Sequence, residues 1–416
     1  MCDRCRGLCC GVAVLLLMLG MSTFAQPPAT DRAGYRADAE AFVELVNRRY
    51  AYLDRFPGGR FVLTPPIATE ADAVHDRDSL LRFLEHGIAL LFDHHAITGA
   101  AQDDSWALVP SYCDLWVLQD GAEYVVSDVR EGMPAAGRVV PGDRVLAVDG
   151  LAIEAAIAAW WGDLGVSEPG QEAREFAARV LLAGRRDRKR LLTIRHGASA
   201  PVTLALPNVY EARRALGPQP AVSTARAAQV TRIVLHDSLG EATTVAAFDA
   251  AMAAVPMGDR VVIDLTDTPG GGTSTVARAI LGWFVTQPQP YQMHASPEEL
   301  RQTGVARQWA EYVGPRASKH FAGPVSVRVG RWTGSMGEGL AVGFAALGMP
   351  VCGTPMAGLL GAIEDNRLEH SGLVVKFATE RLSTMAGTPR ELFRPRPPGD
   401  EACRSLLDAV PPSRRQ

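Results

Sequence analysis

Lysine is nearly absent from this chain of 416 residues. It occurs only at Lys189, Lys319 and Lys376, so arginine supplies almost all of the positive charge, and the formal net charge is −4. The one basic run, residues 185–190, contains an aspartate and is typical of a solvated turn between a helix and a strand. Because the chain is mildly acidic and has no basic stripe, we do not expect a nucleic-acid partner.

The chain also lacks an apolar run long enough to favour a membrane span. The apolar run Val12–Met21 follows Arg4 and Arg6 and precedes the small-x-small sequence Thr23-Phe24-Ala25. This order is typical of a secretory signal, which we assign to residues 1–25. It predicts a periplasmic or secreted protein.

Cysteine is scarce, and four of the seven cysteines would leave with the signal. The remaining Cys113, Cys352 and Cys403 are odd in number, so at most one disulfide can form. Their spacing matches no zinc motif. Neither G-x-x-x-x-G-K-[ST] nor G-x-G-x-x-G occurs, which argues against nucleotide binding. We therefore expect neither a metal nor an organic cofactor.

Hydrophobic periodicity divides the chain into regions of different character. Residues 26–106 have mostly helical spacing and predict an N-terminal helical domain. Residues 107–208 contain short alternating strands and two helices, whereas residues 209–228 are rich in alanine and proline and predict a linker. Strands then alternate with helices over residues 229–398, before a predicted tail at 399–416. The expected fold class is α/β, in an α+β multidomain arrangement.

The most informative segment is Trp332–Gly339, because it places a serine where a strand gives way to a helix. The strand is predicted over residues 325–329 and the helix from Met336 to Leu347. A hydroxyl at such a junction lies beside free backbone N–H groups that stabilise negative charge, as a nucleophile forming an oxyanion requires. The alternative is that Ser335 only caps the helix.

A triple glycine, Gly270–Gly272, follows a second apolar strand at 261–265 and precedes a helix predicted to begin at Ser274. Glycine allows the backbone to approach a ligand closely. The N–H groups of Gly271 and Met336 are therefore candidate donors of an oxyanion hole. A flexible loop or a phosphate cradle is the alternative.

Two regions resemble tail-specific (C-terminal processing) serine peptidases. Met133–Gly137 and Val140–Gly150 resemble the PDZ domain of that family, and Gly334-Ser335-x-x-Glu338 with the Pro-Gly-Gly loop resembles its catalytic core. The resemblance covers most of residues 80–395. It implies a PDZ-like β-rich domain, a crotonase/ClpP-like α/β core, and a hydrolase of polypeptides that are often recognised by a C-terminal segment.

The family has two catalytic designs. One uses a Ser-Lys dyad, but the segment where that lysine is expected, residues 358–361, contains none. The other resembles the tricorn protease core, with serine, histidine and glutamate. This resemblance points to His95 in Leu91–His95, with His94 as the substitute, and to Glu391 near the end of the core.

In this interpretation Ser335 is the nucleophile, His95 is the base, and Glu391 fixes the tautomer of the imidazole. Each residue has a plainer alternative. The adjacent histidines could bind a metal or end a helix, and Glu391 could be a surface residue paired with Arg390 or Arg394. Glu338, one helical turn after the serine, is predicted to reach back to the helix start as in a capping box.

The sequence thus predicts a secreted or periplasmic serine-type endopeptidase that cleaves polypeptides. Two alternatives stay open: a catalytically inactive PDZ-type peptide-binding protein, and an esterase or small-ligand binder on the same fold. A nonspecific affinity for nucleic acid is not expected, and the sequence makes no prediction of oligomeric state.

Overall fold

The computed structural model describes residues 31–108, 110–237 and 239–403. The predicted signal, residues 1–25, and residues 404–416 of the predicted tail lie outside these ranges. Among the helices in the described ranges, none combines the length and the apolar character that crossing a bilayer requires.

The N-terminal region is helical, as its spacing predicts. It contains α1 (Arg32–Arg49), α2 (Pro65–Ala73) and α3 (Arg77–Ala89). Phe42 of α1 and Phe83 of α3 pack edge to face, with 5.6 Å between ring centroids. The chain then forms β1 (Ile97–Thr98), which pairs antiparallel with β18 (Val374–Ser383). The segment between α3 and β1 is thereby brought against the C-terminal half of the chain.

The middle region forms a six-stranded sheet with two helices packed on it. The strands are β2 (Leu115–Asp120), β3 (Glu123–Val129), β4 (Arg144–Val148), β6 (Arg190–Arg195) and β7 (Val202–Leu206) in spatial order, with β5 (Leu151–Ala152) beside β4. The helices are α4 (Ile153–Asp163) and α5 (Gln171–Ala183). Trp161 of α4 is buried and donates its indole N–H to the carbonyl of Ala173, which joins the two helices. The strands and helices predicted in this region are all present.

A five-stranded sheet forms the centre of the C-terminal half. In spatial order it consists of β16 (Val351–Gly353), β14 (Val325–Val329), β10 (Arg260–Asp264), β9 (Val230–Leu235) and β8 (Val222–Ala227), with the helices α7 (Thr243–Ala253) and α8 (Ser274–Leu281) in its connections. The first four strands are parallel, and their apolar runs suit strands buried on both faces. Only β8 is antiparallel.

The segment 209–228 is not a free linker, contrary to the prediction. It contains α6 (Val209–Ala215) and the strand β8, which pairs with β9 over six residues from Val222↔Leu235 to Ala227↔Val230. An edge strand has only one neighbour to pack against, so its composition carries a weak signal.

A second sheet covers the helix that follows Ser335. It contains β1, β18, β12 (Gln289–Ser296), β13 (Arg307–Val313) and β17 (Ala362–Arg367), with α9 (Pro297–Thr303) between β12 and β13. A short ribbon of β11 (Asp267–Thr268) and β15 (Trp332–Thr333) leads into α10 (Met336–Ala346).

Helix α10 contacts β12 of the second sheet as well as β14 and β16 of the parallel sheet. Its residues 337–344 are all buried, as expected for a helix enclosed by neighbours on every side. Gly343 allows this close packing, because a Cβ there would lie 2.7 Å from a methyl carbon of Leu281. The first turn of α10, and with it Ser335, is therefore fixed by the core.

One disulfide is present in the described residues. Cys352 on β16 is bonded to Cys403, with 5.7 Å between their Cα atoms, and Cys113 is a buried free thiol. This agrees with the limit of one disulfide set by three cysteines. The bond ties the start of the predicted tail to the parallel sheet.

Candidate active site

Ser335 occupies the junction between the β11–β15 ribbon and α10. Its backbone has φ 52° and ψ −116°, a region that costs a non-glycine residue about 1–3 kcal/mol. The surroundings enforce this conformation, since Gly334 donates to the carbonyl of Thr268 at 3.0 Å and Ser335 donates its N–H to Glu338 Oε2 at 3.0 Å. A strained serine at a strand-to-helix turn presents its hydroxyl clear of the backbone.

His95 meets this hydroxyl. Its Nε2 lies 2.9 Å from Ser335 Oγ, and its Nδ1 lies 2.7 Å from the carbonyl oxygen of Leu360. A carbonyl can only accept a hydrogen bond, so Nδ1 carries the proton and the lone pair of Nε2 faces the serine. This is the tautomer that a general base requires.

The backbone of His95 is anchored by a second buried group. Asp93 Oδ1 accepts the His95 N–H at 2.8 Å, and the hydroxyl of Tyr50 donates to Asp93 Oδ2 at 2.9 Å. Burial, more than any neighbouring charge, raises the pKa of Asp93 to about 6. The turn after α3 is therefore held to α1 through a tyrosine and an aspartate.

Burial also dominates the protonation of His95. It lowers the pKa of the imidazole to about 4, with a further contribution from the positive charge of Arg390. The ring is thus neutral at pH 7 and able to accept a proton.

The adjacent His94 points elsewhere. Its Nδ1 lies 2.7 Å from the carbonyl of Leu108, and its ring lies against Phe176 with 4.5 Å between centroids. Burial, followed by the charge of Arg179, lowers its pKa to about 3. Of the two histidines only His95 reaches Ser335. Within the described residues no group of three or more histidine, cysteine, aspartate or glutamate side chains is arranged to hold a metal ion.

The structure does not bring Glu391 to the imidazole. Both ring nitrogens of His95 already have partners, Ser335 and the Leu360 carbonyl. Glu391 lies in the 3₁₀ turn Arg390–Leu392, and its charge acts on Tyr52, whose pKa is raised first by burial and then by this carboxylate. A backbone carbonyl therefore stands where a carboxylate was predicted.

Glu338 has the structural position predicted for it, with more partners than a capping box supplies. Besides the Ser335 N–H, its carboxylate accepts the N–H groups of Gly358 at 2.8 Å and Leu359 at 3.2 Å. The side chain is fully buried, and burial raises its pKa to about 7 although Arg390 opposes the shift.

Of the two predicted oxyanion donors, Met336 lines the cleft beside Ser335. Met336 is the first residue of α10, so its N–H has no acceptor within the helix. Met336 and Gly272, the neighbour of Gly271, line the same cleft as Ser335, which has a volume of about 570 Å³. A separate cavity of about 610 Å³, beside α3 and α4, contains none of the predicted site residues.

A charged network forms the far wall of the cleft. His294 bonds through Nδ1 to Glu380 at 2.7 Å and through Nε2 to Glu311 at 3.3 Å, and Glu311 also accepts from Arg278 at 2.7 Å. Burial alone would lower the pKa of His294, but the hydrogen bonds and charges of the two glutamates outweigh it and raise that pKa to about 9. This imidazole is a cation at pH 7 and unsuited to act as a base.

The six-stranded unit is bonded to the ribbon that precedes Ser335. Arg130 pairs with Asp267 of β11 at 2.8 Å, and Arg331 pairs with Asp128 of β3 at 3.3 Å. The indole of Trp332 donates to the carbonyl of Cys113 at 2.9 Å. The nucleophile loop is thus supported from outside the C-terminal half.

Comparison with known proteins places this architecture. No family model matches the chain, and no curated protein matches it. Solved structures do. The match to mature CPAF covers 88% of this chain and 92% of the CPAF chain, with a TM-score of 0.56 and 14% identity. The match to CPAF complexed with lactacystin covers 88% of this chain and 93% of that chain, with a TM-score of 0.55 and 14% identity. The photosystem II D1 C-terminal processing protease covers 89% and 97% at 0.52 and 16%.

The chain has the fold of a C-terminal processing protease. The α/β multidomain class predicted from the sequence is confirmed. At identities of 14–16% the likeness is one of fold, so the chemistry of this chain depends on its own residues.

Two parts of the site were missed by sequence reasoning. The Leu360 carbonyl is a backbone group, and no residue type signals it. The sequence presents Arg390 only as a possible partner of Glu391, although it is 2% exposed and lies near the base. The only signal available was a pair of opposite charges at adjacent positions.

Proposed function

We propose that this protein is a secreted or periplasmic serine peptidase that cleaves polypeptides through an acyl-enzyme on Ser335. The observation that carries the proposal is the 2.9 Å contact between His95 Nε2 and Ser335 Oγ, with Nδ1–H held by the Leu360 carbonyl. A buried, neutral imidazole of fixed tautomer next to a strained serine is the arrangement that nucleophilic catalysis needs.

In the acylation step Ser335 Oγ attacks the carbonyl carbon of a peptide while its proton passes to His95 Nε2. The N–H groups of Met336 and Gly271 are the proposed donors to the resulting oxyanion. When the C–N bond breaks, His95 returns the proton to the leaving amine. A water molecule then attacks the ester with His95 again as base, which releases the acid and restores the serine.

Among the described residues, no carboxylate bonds to the imidazolium formed in this cycle. The carbonyl dipole of Leu360 stabilises the Nδ1–H side, and Arg390 disfavours the charged ring. We therefore assign the role proposed for Glu391 to the Leu360 carbonyl.

Separate observations support the proposed compartment and the proposed substrate. A disulfide between Cys352 and Cys403 suits an oxidising compartment, as does the secretory pattern of residues 1–25. A polypeptide substrate suits an open cleft beside Ser335, with the PDZ-like region 107–208 as the module that recognises a C-terminal segment.

The edge of β2 is the candidate surface for such a segment. Two side chains of α5 bond to this edge. Arg179 donates to the carbonyl of Val117 at 3.2 Å, and Glu175 accepts the N–H of Gln119 at 3.1 Å. An added peptide strand would replace these two contacts.

A fluorophosphonate probe tests the proposal directly, because it phosphonylates only an activated serine. We expect the wild-type protein to be labelled and to cleave unstructured polypeptides, and S335A to do neither while keeping its fold. Folded wild-type protein that takes no label would favour a peptide-binding protein. Labelling with hydrolysis of short esters, but of no peptide, would favour an esterase.

A further inference from the structure

One loop, residues 358–361, connects the base to the nucleophile through two buried charged side chains. Arg390 Nη2 donates to the carbonyl of Leu359 at 3.0 Å and to that of Gly361 at 2.7 Å. Between them, the carbonyl of Leu360 is turned away from the arginine and bonds to His95 Nδ1 at 2.7 Å. The orientation of the Leu360 carbonyl therefore depends on the two carbonyls that flank it.

Glu338 holds the amide groups of the same loop. Its carboxylate accepts the N–H groups of Gly358 and Leu359, and also that of Ser335 at 3.0 Å. Arg390 and Glu338 lie 4.0 Å apart and are 2% and 0% exposed. This buried pair therefore bonds to the loop in two ways: Glu338 accepts from its N–H groups, and Arg390 donates to its carbonyl groups.

A buried ion pair is weak evidence for stability, because the cost of desolvation offsets much of the attraction. The partners of this pair suggest another role for it. Each of its bonds ends on the nucleophile residue or on the loop that orients the base.

We propose that Arg390 is the positioning residue of the catalytic base, acting with Glu338 to aim the Leu360 carbonyl at His95. The inference rests on the proposed function and assigns to an ion pair and a backbone loop the task that a carboxylate has in a Ser-His-Glu triad. Arg390 donates its hydrogen bonds to this loop and not to Ser335 or the His95 ring, so it acts through the loop and through its charge.

Two consequences follow from the geometry. Without the two bonds donated by Arg390 Nη2 the Leu360 carbonyl is free to turn, and a base misplaced by about 1 Å costs about 10²-fold in rate. Without its positive charge the imidazolium of His95 is less disfavoured, so the pKa of His95 rises.

Arg390→Met tests both consequences, with Arg190→Met as the matched control. Arg190 is also 2% exposed and paired with a buried aspartate, Asp114, at 2.7 Å, but it lies in the six-stranded sheet. For R390M we expect kcat for peptide cleavage to fall about 10²-fold with KM little changed. We also expect the acid limb of its pH–rate profile to move to higher pH. R190M should lose stability and show neither effect, and an R390M profile that matches R190M would overturn the inference.

Arg390→Lys separates position from charge. Lysine keeps the charge, but its ammonium ends one bond short of the position of Arg390 Nη2, the nitrogen that donates both bonds to the loop. We expect kcat to fall while the acid limb stays in place, and wild-type kcat in R390K would contradict a positioning role. If R390M does not fold, the result for R390K alone tests the positioning role.

A measurement without turnover distinguishes this inference from the proposed function. The His95 pKa can be followed by NMR with ¹³Cε1-labelled histidine in wild type, R390M and R190M. If the wild-type protein neither cleaves nor labels, the proposed function fails, yet a His95 pKa that rises only in R390M still supports the action of Arg390 on the base. An equal pKa in all three proteins refutes it.

Discussion

Acidification is the perturbation that most directly tests the base. The His95 imidazole has a pKa of about 4 in place of its ordinary 6.5, so the fold favours the neutral ring by about 3 kcal/mol. At pH 5.5 about 97% of a ring with this pKa is neutral, against about 9% of a ring with the ordinary value. The ratio of the acylation rate at pH 5.5 to that at pH 7.5 should therefore be about tenfold higher for a ring with a pKa of about 4 than for a ring with the ordinary value.

The assay is the initial rate of fluorophosphonate labelling after a rapid jump from pH 7.5 to values between 4.5 and 8. Short reaction times keep slow unfolding out of the measurement, and tryptophan fluorescence reports whether the protein is still folded. We expect no loss of rate attributable to His95 above about pH 5.

Two buried carboxyl groups titrate in the same range and need their own controls. Burial raises the pKa of Glu338 to about 7 and that of Asp93 to about 6. The variants E338Q and D93N are uncharged and nearly isosteric, so a limb caused by either carboxyl should vanish in its variant. A limb near pH 6.5 that persists in both variants would belong to His95 and would refute the reasoning.

Two further predictions concern stability. Because His94 has a pKa of about 3 when folded and about 6.5 when unfolded, the unfolded chain binds the extra proton between these values, and the free energy of unfolding falls as pH falls. In urea titrations the free energy of unfolding of H94F should decline less steeply between pH 6 and 4, by about 1.4 kcal/mol per pH unit, than that of the wild type. H94F should still be labelled at Ser335. An unchanged decline would contradict the burial of a neutral His94. Cys403→Ser opens a loop with a sequence separation of 51 residues, which in the chain-entropy treatment lowers the free energy of unfolding by about 4 kcal/mol in the oxidised protein. Equal urea midpoints for C403S and wild type would contradict a stabilising role for that bond.

The segments around Ser335 could be predicted because their signals are local. The strand β14 was predicted with its observed bounds, Val325–Val329, and α10 with its observed start at Met336. Alternating apolar residues, glycine and proline breaks, and a serine at the junction all lie within about 25 residues of one another. The position of His95 came from the family resemblance, and only the fold brings it to a serine 240 residues away.

The hairpin of β8 and β9 could not be predicted because its turn has unusual residues. Ala228 and Gln229 have φ values of 47° and 60°, so both central residues lie in the left-handed region. Such turns usually contain Asn-Gly or Asp-Gly. With alanine and glutamine in their place, the only remaining signal was an alanine- and proline-rich composition, which predicts a linker.

The choice between Arg390 and Glu391 could not be made from the sequence for a geometric reason. Both residues lie in one 3₁₀ turn, in which successive side chains diverge by about 120°. Arg390 bonds to the loop at residues 358–361 through the carbonyls of Leu359 and Gly361, whereas the carboxylate of Glu391 acts on Tyr52. A pattern that places a charged pair near the site does not say which sign of charge reaches the loop that orients the base.

The sign of that charge has a chemical consequence. A carboxylate at Nδ1 would stabilise the imidazolium and raise the pKa of the base, whereas here burial and then the positive charge of Arg390 lower that pKa, against the smaller opposing effect of the Leu360 carbonyl. A base with a pKa of about 4 stays neutral down to about pH 5. At pH 7, however, it accepts the serine proton with less driving force than a base whose pKa is near 7. In the proposed mechanism, the lost driving force would be made up by the N–H groups of Met336 and Gly271 and by the strained, fixed position of Ser335. Removing the Arg390 charge without moving the loop would therefore favour proton transfer, and removing the loop contacts without the charge would slow it. The two effects have opposite signs, so R390M combines them whereas R390K isolates the loss of the loop contacts.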